Sequence, residues 1–515
     1  MLARTLCYAL VGIGGEPVTV EAYVSGGDHF MFSMVGLPDT AVKESRDRVT
    51  AALKNSGYAM PYGHTTVSLS PADLKKEGSA FDLAIAVSII MATQQVRTEG
   101  PGDILLLGEL ALDGRLNPIR GALPLVISAR EKGVTKAVLP LANAPEVETV
   151  LGMEIYPART LTEAVQHLSG QMPIAAQVQK SYQECLAESK PDIDMSQVRG
   201  QHAAKRALEV AAAGGHNILF VGTPGSGKTM LARCLPGILP TMTQEEAFET
   251  TRIYSSAGLL KPGTGLLTAR PFRTPHHTAS AAALIGGGAN ALPGEVSLAH
   301  NGVLFLDEMP EYPRRVLEAL RQPLEDGVAN VSRVKAHTQY LSKCMLVASM
   351  NPCPCGYYGS RVRACRCGSH EIRKYLDRIS GPLLDRIDIQ VEVDAVPPEE
   401  IAETAQEECS AVVRARVEKA RGIQLNRFAD EDIRCNAQMN NRQMDNYINI
   451  EKQAESFLLS AMQKYGLSMR AYGRIRKVAR TIADLRSSET VGLTDVAEAV
   501  QFRMIDAKYW GNAQP

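Results

Sequence analysis

Eight consecutive residues, Gly222-Thr223-Pro224-Gly225-Ser226-Gly227-Lys228-Thr229, carry the spacing G-x-x-x-x-G-K-[ST]. That spacing suits phosphate. The glycines allow a turn tight enough for successive backbone N–H groups to converge on phosphate oxygens. Lys228 can then reach the β- and γ-phosphates, and the Thr229 hydroxyl offers an oxygen to Mg²⁺. The flanks agree: Ile218-Leu219-Phe220-Val221 predicts a buried strand before the loop, and Met230-Leu231-Ala232-Arg233 predicts a helix start after it. Downstream, Gly302-Val303-Leu304-Phe305-Leu306-Asp307-Glu308 reads as an apolar strand ending in two carboxylates. A strand ending in solvated acids is common by itself. Behind a phosphate loop, however, Asp307 suits Mg²⁺ and Glu308 suits polarising an attacking water. A third apolar run, Cys344 to Met350, ends at Asn351, whose amide can orient that water. Together these residues predict ATP binding with hydrolysis.

A second constellation follows at once. Cys353-x-Cys355 and Cys365-x-Cys367 bring four thiols into a short stretch, with Arg361, Arg363 and Arg366 close enough in sequence to favour thiolates. Four thiolates satisfy tetrahedral Zn²⁺ and leave no open position, which makes a structural rather than a catalytic metal. A reduced metal-free loop and a redox pair fit the same residues, and C-x-C is tighter than the usual knuckle, leaving His370 as an alternative ligand. Two basic stretches are also candidates for phosphate contact. One is Val328 to Gln339, two alternating runs meeting near Lys335; the other runs from Arg361 to Arg378, with six basic and two acidic residues. By composition alone, both read equally well as solvated charge. Adjacent His276 and His277 can bind metal, but in a strand neighbouring side chains point apart, which favours a structural or nucleic-acid-facing role, as for Arg270 and Arg273.

The elements that must position these residues fit a chain of 515 residues, 45% hydrophobic, with material for about three domains. With 55 basic and 56 acidic residues, overall charge points to no polyanionic partner, and 5% aromatics argue against stacking as the main mode of nucleic-acid contact. Ten cysteines, six of them scattered, do not form a secreted disulfide framework. The start, Met1 to Leu6, lacks a convincing leader. The longest apolar stretch, Leu83 to Ala92, is too short to span a bilayer, so a cytoplasmic protein without membrane partners is expected. Val18–Val24, Thr65–Leu69 and Ala137–Pro140 predict strands, while 39–56 and 81–92 predict helices. Polar residues from about 175 to 197 read as a linker. An alanine-rich helix opens after Val198-Arg199-Gly200-Gln201 and stops at Gly214-Gly215. Pro397-Pro398 then separates a charged helical tail.

The phosphate loop, the Asp307-Glu308 pair, Pro271-Phe272-Arg273-Thr274-Pro275-His276-His277 and Asn351-Pro352-Cys353-Pro354-Cys355-Gly356 together resemble the magnesium-chelatase-like AAA+ ATPases. More narrowly, they resemble the ComM/YifB competence-protein family over nearly the whole chain. The resemblance implies an α/β fold with a parallel-sheet P-loop core and a helical lid, of MCM-like type. It also implies a homo-hexameric ring and a helicase promoting branch migration on single-stranded and branched DNA in recombination. Leu383-Leu384-Asp385-Arg386-Ile387-Asp388 resembles the arginine-finger segment, and Ser468-Met469-Arg470 resembles sensor 2, which couples the lid to the γ-phosphate. An isolated pair such as Arg386-Asp385 otherwise reads as a surface salt bridge. In MCM-like rings the 328–339 position is a pore hairpin, which makes Arg333 and Lys335 the DNA contacts.

Residues Leu69 to Ser79 and Leu110 to Ile119 resemble the Lon protease domain, an α+β fold of ribosomal-S5 type. The match sets Ala80 at the nucleophile and Leu123 at the base; a shift of one residue would bring Ser79 to the nucleophile, but no lysine replaces Leu123, so no peptidase activity is expected. The expected division is a Lon-like domain at 1–172, a linker at 173–197, an ATPase core at 198–395 with a cysteine insertion at 353–367, and a helical lid at 396–515. The alternative reading is a chelatase-type ATPase remodelling a protein partner, against which the Lon-like front end and the cysteine insertion both count.

Overall fold

The computed structural model describes residues 1–27, 29, 31–97, 101–186, 193–288, 291–333, 336–360, 363–396 and 407–510. They fall into two units, Met1–Glu188 with Gln244–Thr268, and Ser189–Thr243 with Ala269–Pro515.

In the first unit the expected alternation becomes β1 (Leu2–Val11) and β2 (Gly14–Ser25), an antiparallel pair with Thr5 opposite Val20. β3 (Met31–Val35), β4 (His64–Ser70), β5 (Ile104–Leu106), the small hairpin β6 (Glu109–Leu110) and β7 (Leu116–Asn117), β8 (Lys136–Pro140) and β9 (Glu154–Ala158) follow. Seven of these form one mixed sheet in the order β3-β4-β2-β1-β5-β8-β9. Asp39 caps the helix Thr40–Asn55 by accepting the Val42 N–H at 2.8 Å. The helix Asp82–Ala92 is buried on every side except at Met91, which is why its sequence is apolar but for Asp82 and Ser88 rather than periodic. Its first residue, Asp82, is fully buried and held by Ser45 and by Arg48 at 2.7 Å.

Residues 244–268 depart from the expected division, because they group with this first unit although they follow the phosphate loop in sequence. The helix Gln244–Ala257 packs beside the helix Ala122–Glu131. A buried carboxylate explains the attachment: Glu146 accepts the Leu123 N–H at 2.9 Å, the Asn143 amide at 3.2 Å and the Ser255 hydroxyl. Arg120 donates to the Ser256 carbonyl at 3.1 Å nearby. Nothing in the local pattern of 244–268 announces this, since its partners lie more than a hundred residues away.

The second unit contains β10 (Ile218–Gly222), β11 (Phe272–Arg273), the hairpin β12 (Gly286–Gly287) and β13 (Leu292–Pro293), β14 (Val303–Leu306), the antiparallel pair β15 (Val328–Arg333) and β16 (Ala336–Leu341), β17 (Met345–Met350) and β18 (Ile389–Val393). Five of them make an all-parallel sheet ordered β11-β14-β17-β10-β18. A parallel sheet covered on both faces needs continuous apolar strands, and alternate residues divide between two cores. Ile218, Phe220, Val303, Phe305 and Val347 face one core, while Leu219, Val221, Leu304, Leu306 and Leu346 face the other. The first core continues into the C-terminal helices Ser410–Arg427, Lys452–Tyr465, Met469–Leu485 and Leu493–Gln501, so the helical region shares a core with the sheet. The helix expected after Gln201 spans His202–Gly214 and ends at Gly215 in a left-handed cap. A short helix, Tyr182–Leu186, lies in the segment expected to be linker. Among the described residues, no helix is long and apolar enough to cross a membrane.

Candidate functional site

Parallel pairing fixes where the chemistry sits. β10, β14 and β17 run in register, so their carboxyl ends bring the loop after Gly222, the Asp307-Glu308 pair and Asn351 to one edge of the sheet. Gly227 has φ +93°, a left-handed conformation that lets the loop turn into the helix Lys228–Ile238. Lys228 is 9% exposed, and its ammonium donates to the Gly222 and Thr223 carbonyls at 2.8 Å each and to Asn351 Oδ1 at 3.3 Å. Burial lowers its pKa against the opposing pull of Asp307 and Glu308. The Thr229 hydroxyl donates to Asp307 Oδ2 at 3.1 Å, bringing together the two groups expected at Mg²⁺.

The site also fits a phosphate. Ser226 is 4% exposed, and its hydroxyl has no partner among the described residues. It lies at the amino end of an 11-residue helix, where free N–H groups and the helix dipole favour an anion. Thr223, Pro224 and Gly225 complete the turn.

Sequence reasoning missed Ser349. This buried residue of β17 donates its hydroxyl to Asp307 Oδ1 and accepts the Glu308 N–H at 3.2 Å. It therefore orients both carboxylate residues, and the one available signal was a polar residue inside an otherwise apolar strand. Glu308 is exposed, with φ +50°, an uncommon conformation for a residue with a side chain.

His276 and His277 correct an expectation. They leave β11 into a turn rather than continuing a strand, and their rings lie 4.1 Å apart. Tyr312 links them to the carboxylate turn, donating to the Pro275 carbonyl at 2.5 Å with its ring edge-on to His277. Arg273 forms a two-pronged pair with Glu295 at 2.6 and 2.8 Å, and Arg270 holds the Pro240 and Asn301 carbonyls at 2.6 Å, so both brace the fold.

Arg386 and Arg470 are not beside Lys228. They come together at the opposite, amino edge of the sheet, where Asp388 and Ile389 N–H groups bond the carbonyl of Asn217 just before β10. The five residues of β10 separate the two edges by ~16 Å at about 3.3 Å per residue. Arg386 pairs with Glu325 and donates to the Pro382 carbonyl at 2.6 Å; Arg470 pairs with Asp385 at 2.8 Å. Behind them Asp388 meets Arg474 and the buried His216, at 3.0 Å from its Nδ1. Burial alone would raise the Asp388 carboxyl, yet Arg474 and His216 hold it well below the usual carboxylate range.

The four cysteines converge. The sulfurs of Cys353, Cys355 and Cys365 lie 3.4, 3.6 and 3.7 Å from one another, and all four, with Cys367, fall within 4.8 Å. Thiolates about 2.3 Å from a tetrahedral Zn²⁺ stand ~3.8 Å apart, so the set fits. His370 is not in the group. Backbone N–H groups of Arg366 and Tyr357, rather than guanidinium groups, are the main influence lowering the Cys355 thiol, to about 6. Tyr358 and Cys367 also aim N–H groups at Cys353 and Cys365, at 3.3 and 3.4 Å. Gly356 (φ +84°) lets this loop close on the phosphate loop: a Cβ there would meet Pro224 at 2.6 Å.

The antiparallel pair β15–β16 matches the expected hairpin, but Lys335 and the side chain of Arg333 lie outside the described residues. In the first unit Leu123 is fully buried, the Ser79 hydroxyl donates to Glu109 and the Lys76 ammonium to the Pro71 carbonyl. The Ser79 hydroxyl is thus engaged by a carboxylate and not by a lysine.

Comparison with known proteins matches residues 194–401 to "Magnesium chelatase, subunit ChlI", 20–143 to "Subunit ChlI of Mg-chelatase" and 407–503 to "Magnesium chelatase, subunit ChlI C-terminal". The chain is 42% identical to competence protein ComM of Haemophilus influenzae, covering 98% of this chain and 97% of that one. It is 40% identical to YifB of Escherichia coli, covering 97% and 96%. A weaker similarity, 26% over 147 residues, covering 27% of this chain and 18% of that one, links it to Lon protease 2 of Thermus thermophilus.

Proposed function

Because the chain belongs to the ComM/YifB family of magnesium-chelatase-like AAA+ ATPases, we propose that it is a ring-forming motor that hydrolyses ATP to move on DNA. The observation that carries this reading is the separation of Lys228 from Arg386. One chain holds the phosphate cradle at the carboxyl edge of its sheet and a cation at the amino edge. A head-to-tail ring, taken as a hexamer, brings the second edge of one copy onto the first edge of the next. Arg386 then neutralises charge developing on the γ-phosphate of its neighbour's ATP, which makes hydrolysis depend on assembly. Arg470, beside it, acts on the same neighbour's nucleotide.

Within each cradle, the backbone of Gly222 to Gly227 and the Ser226 hydroxyl receive phosphate oxygens. Lys228 exchanges its carbonyl partners for the β- and γ-phosphates. Thr229 and Asp307 are the residues to hold Mg²⁺, which supplies charge neutralisation when bound. Glu308, oriented through Ser349, takes the proton of the attacking water, and Asn351 aligns that water. The four cysteines hold a structural Zn²⁺ that stiffens the loop packed on Pro224. The β15–β16 hairpin, with Arg333 and Lys335, grips DNA phosphates, and the task is branch migration of single-stranded and branched DNA in recombination, in the cytoplasm. The name of the Haemophilus relative, a competence protein, agrees with this task. The first unit, with Ala80 and Leu123 where the protease match needs a serine and a lysine, serves assembly or DNA engagement instead of proteolysis.

The test is ATP turnover with and without single-stranded, duplex and forked DNA across a salt series. A motor on DNA shows stimulation that falls with salt as phosphate contacts are lost. No stimulation by any DNA, with turnover raised instead by a protein partner, favours the chelatase-type remodeller.

A further inference from the structure

Four acceptors along the Arg386 segment are held by side chains from elsewhere in the fold. Asp385 pairs with Arg470, the Ile387 carbonyl accepts from the buried Arg503 at 2.5 Å, and Asp388 pairs with Arg474 and His216. The Arg386 carbonyl itself accepts from Asn217 Nδ2 at 2.8 Å. The other end of the same amide, Asn217 Oδ1, accepts the Leu346 N–H at 2.7 Å, at the start of the strand that leads to Asn351. The backbone carbonyl of Asn217 accepts from Asp388 and Ile389 at 3.0 Å each, and Asn217 directly precedes β10, the strand that feeds the phosphate loop. One half-buried side chain thus joins three segments: the strand leading to the phosphate loop, the strand leading to Asn351, and the backbone of Arg386.

We propose that Asn217 is a positioning residue for Arg386, fixing where its guanidinium is presented to the neighbouring copy and tying that position to the strand that carries Asn351. The inference rests on the reading of Arg386 as a residue that acts on the next subunit's ATP. Its physical basis is the shortness of the segment. Only four residues separate Leu384 from Ile389, so the carbonyl of Arg386 sets the origin from which its side chain reaches. The guanidinium itself is held by the Pro382 carbonyl of the same segment and by Glu325, a carboxylate that is 64% exposed, so its place follows that of the segment's backbone. A displacement of about 1 Å at a transferring group can cost on the order of 100-fold in rate.

The substitution Asn217→Asp changes one atom of the bridge. It keeps an oxygen for the Leu346 N–H and replaces the donor to the Arg386 carbonyl with a carboxylate oxygen. The experiment measures ATP turnover and nucleotide binding of full-length Asn217→Asp and Asn217→Ala, alone and mixed with Lys228→Ala chains. Lys228→Ala keeps its amino edge but has a dead cradle. Alone, each Asn217 variant should bind nucleotide within about twofold of wild type and turn over about 10- to 100-fold more slowly. In the mixture, an intact cradle on the Asn217 variant meets an intact Arg386 on Lys228→Ala, and turnover recovers.

Arg386→Ala mixed with Lys228→Ala is the control. Recovery for Arg386→Ala without recovery for the Asn217 variants overturns the proposal, because the defect would then lie in the variant's own cradle. Wild-type turnover by Asn217→Asp overturns it too. Failure of the Arg386→Ala mixture to recover overturns the reading of Arg386 beneath it.

Discussion

Replacing Gly356 with alanine should weaken nucleotide binding although the residue touches no nucleotide. Its φ of +84° makes any side chain strained, at ~1–2 kcal/mol, and the added Cβ would stand 2.6 and 2.7 Å from Cδ and Cγ of Pro224. Proline is a stiff neighbour in the middle of the phosphate loop, so relief must come from moving one loop away from the other. Overpacking of this kind costs about 1–3 kcal/mol. If that cost is expressed as displacement of the phosphate loop, nucleotide affinity falls roughly 5- to 150-fold. Gly359 supplies the comparison. It has φ +75° in the same loop, and a methyl group added there would meet nothing within 4 Å, so Gly359→Ala carries the backbone strain without the collision. Titration of a fluorescent ATP analogue into both variants, with metal content checked by elemental analysis, reads the difference. The reasoning is refuted if Gly356→Ala binds nucleotide as tightly as Gly359→Ala while keeping the same metal content.

Glu308→Gln should retain ATP binding and lose turnover by a factor of about 100 or more, measured as nucleotide retention against phosphate release. Asp388→Asn leaves Arg474 facing a neutral partner and should destabilise the second unit by about 3–5 kcal/mol in denaturant unfolding. The same group gives a pH dependence. Its folded pKa is depressed, so its stabilisation is complete above the unfolded carboxylate value near ~3.9 and is lost as pH falls below that value towards the folded one. Acid unfolding of Asp388→Asn should accordingly show a shallower dependence in that range. Fresh protein should contain one zinc per chain, and Cys365→Ser should lower that content; zinc-free protein with full nucleotide affinity would remove the metal from the account.

Much of the carboxyl edge was legible because phosphate chemistry demands contiguous residues. Gly222 to Thr229 must follow a strand and open a helix, and one pass along the chain finds such a block. Asp307, Glu308 and Asn351 each end an apolar run, so strand prediction locates them as well. The helix Asp82–Ala92 was equally plain, since a run apolar on every face but for Ser88 after its opening Asp82 has to be buried. What stayed hidden depends on pairs distant in sequence. Ser349 acquires its role only when β17 lies beside β14, and Asn217 only when the segment before β18 folds back across the start of β10. The attachment of 244–268 to the first unit hinges on Glu146, a lone acid whose burial no local pattern reveals. Arg470 could be singled out by its motif but not by its edge of the sheet.

The central claim is that each ATP is completed by two copies of this chain, and it is tested most directly by turnover per subunit as a function of protein concentration, with particle mass followed in parallel and DNA present. The account predicts turnover that rises steeply as monomers assemble and levels off once rings are complete. Monomers that hydrolyse ATP at the full rate, with Arg386→Ala indistinguishable from them, would contradict it.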